Sequence, residues 1–180
     1  TLKVKTIRNS GPSSQCVDLV VLGDGYGAGH QAKFNSDAAA LDAVLFGVHE
    51  PYKTYAKRFN VHTVFQASPT GTTVCGNAGN SIKTAYGITL CQDATVIMPA
   101  GLNAAIVASA NAAPGADTSA VIVLLNTNDY GGVALPNSFG IASANQTLPS
   151  FARNGGSSHC RARGESSDSR RLRACDVVVR

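Results

Sequence analysis

The residues able to bind metal or move a proton are few, and their spacing is poor for either task. His30, His49 and His62 have no second ligand at i+2, i+3 or i+4, so no helix or strand brings a metal pair together locally. Each is expected at the surface or hydrogen-bonded within a core. His159 stands beside Cys160, with Glu165 six residues on. No helical spacing puts both on one face with His159, so a zinc-ligand role is not expected of it in this chain.

The turn Gly23-Asp24-Gly25-Tyr26-Gly27-Ala28 fits the dinucleotide pattern G-x-G-x-x-G/A and sits between a strand and a helix. Its chemistry is wrong for a nucleotide: Asp24 would face pyrophosphate charge, and the second strand ends at Gln66 where a ribose-binding acid belongs. The turn also resembles the Gly-Asp-Ser block of Ser-Asp-His esterases. There Gly25 replaces the nucleophilic serine, so acyl transfer has no attacking oxygen. The remaining reading is architectural: glycines supply positive φ in a tight turn, and Asp24 bonds backbone amides.

Five cysteines (Cys16, Cys75, Cys91, Cys160 and Cys175) form neither a dense disulfide framework nor a CxxC cluster. Cys75 and Cys91 bracket a polar loop, and closing it as a disulfide would stabilise by about 3 kcal/mol. Two buried free thiols are the alternative. Asn145-Gln146-Thr147 is a glycosylation sequon, which matters only in a glycosylating compartment.

The elements that must position these residues read as α/β. Residues 16–22 are β-branched-rich and stop at a glycine turn, as a buried strand does. Residues 30–46 place Phe34, Ala38, Leu41 and Leu45 on one stripe, with Gly47 as the helix stop. Pro51 starts a second expected helix carrying Tyr52, Tyr55 and Phe59, and residues 60–66 make the next strand, parallel to the first. A long polar loop fills 67–92. An Ala-rich helix follows over 102–113, ended by Pro114, and 119–126 is the clearest buried strand. Residues 140–145 predict an edge strand.

The chain has 180 residues and a net charge of +4, enough for one domain with a real core. At 44% apolar and 14% charged residues, disorder is excluded. The longest apolar run, 120–125, is too short to cross a bilayer, so no membrane partner is expected. Residues 1–150 are charge-balanced, whereas 151–180 hold seven arginines and three acids. That tail lacks aromatic interleaving, so nucleic acid is not an expected partner. The expected division is an α/β domain over 1–149 and an Arg/Ser-rich tail over 150–180, unstructured or read in a shifted frame.

Residues 17–26 (VDLVVLGDGY), Lys33-Phe34, 50–65 (EPYKTYAKRFNVHTVF), 121–132 (VIVLLNTNDYGG) and 140–145 (GIASAN) together resemble the IgA peptidase family of secreted zinc metallo-endopeptidases. The likeness runs over about residues 15–148. It implies the N-terminal part of a zincin-like catalytic domain with a mixed sheet of about four or five strands and two or three helices. It also implies a secreted protein acting on protein or peptide, with zinc as cofactor. By the same resemblance Tyr130, Gly131 and Gly132 fall in the loop before the cleft. Ile141, Ala142 and Ser143 fall on the strand that binds extended substrate by β-augmentation.

The family's zinc helix bears His-Glu-x-x-His, whose two histidines bind zinc while the glutamate serves as general base. That motif occurs nowhere in the 180 residues, so zinc, though expected for the family, is not expected on this chain, and no catalytic or metal-binding residue is assigned. If Ala162, Arg163 and Ser166 are encoded by GCA, CGA and TCA, reading from the second base gives His-Glu-x-x-His where the Ser167 codon begins with T. The expectation is a peptidase domain whose zinc helix was lost to a frameshift or truncation. The alternative is a non-catalytic secreted binding domain that uses its basic tail for an acidic partner.

Overall fold

A computed structural model describes residues 1–71, 83–91, 95–115, 120–129, 131–135 and 139–144. The chain runs β1 (Lys3–Arg8), β2 (Val17–Asp24), α1 (Gln31–Val48), β3 (Phe59–Phe65), β4 (Thr89–Leu90), β5 (Val96–Ile97), α2 (Leu102–Ala110), β6 (Val121–Leu125), β7 (Gly132–Ala134) and β8 (Gly140–Ser143). Six strands form one sheet in the order β1-β3-β2-β6-β8-β7, and β4 pairs with β5 in a small second sheet. The class is the expected mixed α/β. The main sheet is larger than the four or five strands expected.

The centre of the sheet is parallel: β2 pairs with β3 and β6, and β6 with β8. Both edges are antiparallel, β1 on β3 and β7 on β8. Because side chains alternate along a strand, the run Leu19-Val20-Val21-Leu22 feeds two cores. Leu19 and Val21 join Phe34, Ala38, Leu41 and Leu45 of α1 on one face. Val20 and Leu22 join Leu102, Ile106 and Ala110 of α2, together with Tyr86, Ile88 and Leu90, on the other. A helix thus covers each face, which is why this strand reads as continuously apolar.

Three expectations need correcting. Residues 51–58 are turns closing in a short 3-10 segment, Ala56–Arg58, not a helix. Phe59 already begins β3. The aromatic spacing read as helical is instead a cluster in which Phe46, Tyr52 and Phe59 lie 5.1–6.0 Å apart between ring centroids, while Tyr55 is exposed. Gly47 lies inside α1, which runs on to Val48. The strand expected at the edge, β8, is interior: Ile141 faces Val123 of β6 on one side and Val133 of β7 on the other. The chain leaves β6, forms β7 at the rim, and turns back to fill the gap between them.

Candidate functional site

The carboxyl ends of the parallel strands, where an open α/β sheet builds its sites, are assembled around one carboxylate. Asp24 ends β2 with no exposed surface. Its Oδ1 accepts hydrogen bonds from the amides of Gly25 (3.1 Å) and Tyr86 (3.0 Å). Its Oδ2 accepts from the amide of Ile88 (3.1 Å) and the hydroxyl of Thr84 (2.9 Å). Burial pushes the carboxyl above its usual range, while the amides of Tyr86, Ile88 and Gly25 and the Thr84 hydroxyl pull it down. Gly25 takes φ 78°, a left-handed value that aims its amide at Asp24 and favours glycine.

Two more buried polar side chains finish the joint. Ser68 Oγ accepts from the amides of Gly25 and Ala85, each at 2.9 Å. Asn126, just past β6, donates from Nδ2 to the carbonyls of Gly25 and Gly71. The glycine turn is therefore an anchor that fastens residues 68–71 and 84–88 over the sheet end. No oxygen nucleophile stands at Gly25, and the Asp24 oxygens are occupied by chain donors.

From this joint the chain passes through Asn126, Thr127 and Asp129 to the rim strand. The Thr127 carbonyl accepts from Ser143 Oγ (3.3 Å), and the Gly131 carbonyl accepts from the Ser143 amide (3.2 Å). The Leu135 amide donates to the Phe139 carbonyl (3.1 Å). Antiparallel ladders alternate hydrogen-bonded and non-hydrogen-bonded pairs. Gly131 with Ser143 and Leu135 with Phe139 are of the first kind, so Val133 with Ile141 is too. Gly132 and Ala134 then turn their N–H and C=O groups outward, along a sheet edge that no described strand covers. This is a ready template for an extended peptide.

Of the residues assigned to substrate, Tyr130 lies outside the described residues. Gly131 is buried and Gly132 exposed. Ile141, Ala142 and Ser143 are 4%, 4% and 3% exposed, and their strand is paired on both sides. The outward-facing backbone at this rim therefore belongs to Gly132 and Ala134, and the sequence carries no strand signal at Ala134. The exchange of edge between two short strands was the signal that spacing alone could not carry.

The histidines sit apart from this edge. His62 is a satisfied core histidine: Nδ1 meets Thr6 Oγ1 at 2.9 Å and Nε2 meets Asp18 Oδ1 at 3.0 Å. Asn60 Nδ2 donates to the same Asp18 oxygen at 2.8 Å. His30 Nδ1 accepts from the Gly27 amide at 3.3 Å, and His49 caps the end of α1. Among the described residues no group of three or more His, Cys, Asp or Glu is placed to hold a metal ion. His159, the sequon and the tail lie outside them. Cys91 is disulfide-bonded and Cys16 is free; Cys75 lies outside the described residues. No described helix is long and apolar enough to cross a membrane.

The sequence model described as IgA Peptidase M64 matches residues 5–152. No curated protein matches the chain. The matched span takes in the described sheet from Lys5 of β1 onward, including the Asp24 joint and the β7 rim.

Proposed function

The chain belongs to the IgA peptidase M64 family, and from that premise we propose that it is the peptide-binding part of a zinc metallo-endopeptidase domain, without hydrolytic activity in its present sequence. The family is one of metallopeptidases, so the substrate class is protein or peptide. The observation that carries the reading is the outward-turned backbone of Gly132 and Ala134 at the end of the matched sheet. An extended peptide would add to β7 as a further strand, held by main-chain hydrogen bonds.

Zinc is the family's expected cofactor, and the described residues do not fit it. Both ring nitrogens of His62 are already engaged, Asp24 is filled by four donors, and no third ligand converges on either. His-Glu-x-x-His is absent from the sequence. This chain's own residues therefore bind and orient peptide, and no hydrolytic step is assigned to them. The proposed cause is a single-base insertion or deletion upstream of Ala162 in a gene for a secreted peptidase. Reading the coding DNA from codon 140 to several hundred bases past codon 180 in all three frames tests this. A shifted frame that carries His-Glu-x-x-His and continues as a domain is expected. No such frame would leave a non-catalytic relative, favouring the second reading, a secreted domain whose seven tail arginines hold an acidic partner.

A further inference from the structure

The β7 rim also dictates which side chains a paired peptide presents, an inference that rests on the edge-pairing reading above. Residues directly opposite one another in neighbouring strands share a face. Val133 lies opposite Ile141 and packs against the core beneath α2. Gly132 and Ala134 lie opposite Ala142 and Gly140, and Ala142 belongs to the core on the α1 side. The rim strand thus offers a branched side chain on the α2 face. On the α1 face it offers a hydrogen and a methyl group, with only a methyl and a hydrogen behind them on β8.

That bareness is fixed by the backbone. A Cβ on Gly132 would stand 2.5 Å from the carbonyl oxygen of Ile141, a main-chain atom in a strand paired on both sides. No neighbour can give way, so glycine is required and its exposed backbone stays uncovered by the chain's own side chain. An exposed glycine in a sheet is stabilised when an aromatic ring on the adjacent strand lies across it, shielding its peptide groups and burying apolar area.

We propose that the peptide bound along β7 carries an aromatic side chain opposite Gly132 on the α1 face, its ring reaching across the Ala134 methyl, with a smaller residue beside Val133. Facing follows from strand pairing alone, so it holds whether the peptide runs parallel or antiparallel to β7.

The test uses acetylated, amidated heptapeptides of serine and threonine that differ only in a central Phe, Val or Ala. Each is titrated into the isotope-labelled 180-residue chain and followed by NMR. The amides of Gly132 and Ala134 are expected to shift with every peptide. The Phe peptide is expected to bind about two- to fivefold more tightly than the Ala peptide, the size of one cross-strand aromatic pair, with ring contacts to the Ala134 methyl and not to Val133. Equal affinities, or a ring lying on Val133, with the two amides still shifting, would overturn this preference and leave edge pairing standing. No shift at Gly132 or Ala134 with any peptide would overturn both.

Discussion

At the scale of single residues, Asp24 shows how a motif of chemical appearance can be architectural. Both carboxylate oxygens accept two donors each, three of the four from residues 84–88. Its tendency to bond amides was legible in the sequence from its place between two glycines. Its partners were not, because they lie 60–64 residues further along the chain. Asp24→Asn keeps the shape but sets an NH2 group against two donors, so it should cost about 2–4 kcal/mol and lower Tm by roughly 5–10 °C. Thr84→Val, which removes one hydroxyl, should cost about 1 kcal/mol. Thermal melts of the two variants check this, and an Asn variant as stable as its parent would mean that Asp24 is not the clasp.

At the scale of elements, the buried centre was legible and the rims were not. β2, β3, β6 and α1 bury whole faces, so their periods of two and 3.6 appear in the sequence. β1 has no buried period to read because four of its six residues are exposed and it carries alternating lysines, which suit an edge strand. Besides its ladder to β3, a tertiary contact holds β1. The Arg8 guanidinium meets both oxygens of Asp42 on α1 at 2.8 and 2.9 Å and lies 4.5 Å from the Phe46 ring centroid. Arg8→Ala removes a half-buried bidentate pair and a cation–π contact, at a cost of about 1–2 kcal/mol. Hydrogen exchange at β1 should accelerate more than exchange at β6; equal acceleration would show the loss to be global. The order of β7 and β8 is illegible in the sequence for a related reason. Three or four residues carry too little period to tell an interior strand from its neighbour at the rim. Their order became visible only through Ile141, which pairs on both sides.

At the scale of the whole molecule, charge and family match divide the chain at nearly the same place. The family match ends at residue 152, and the excess of arginine begins just beyond residue 150. Peptide binding is proposed along β7, within the matched span, so residues 151–180 are expected to take no part in it. Deleting them should leave Tm and heptapeptide affinity unchanged and leave any weak binding to polyglutamate without functional consequence. A loss of salt-dependent polyglutamate affinity comparable to a specific complex would favour the acidic-partner reading instead.

The central proposal is a peptidase-family sheet that binds peptide along β7, with no zinc site among the described residues. The most direct measurement of the missing half is zinc content by atomic emission on the purified 180-residue chain after dialysis against micromolar zinc, alongside hydrolysis of an unstructured protein substrate. The account predicts no stoichiometric zinc and no cleavage. One zinc per chain retained at micromolar affinity, with cleavage that a chelator abolishes, would contradict it.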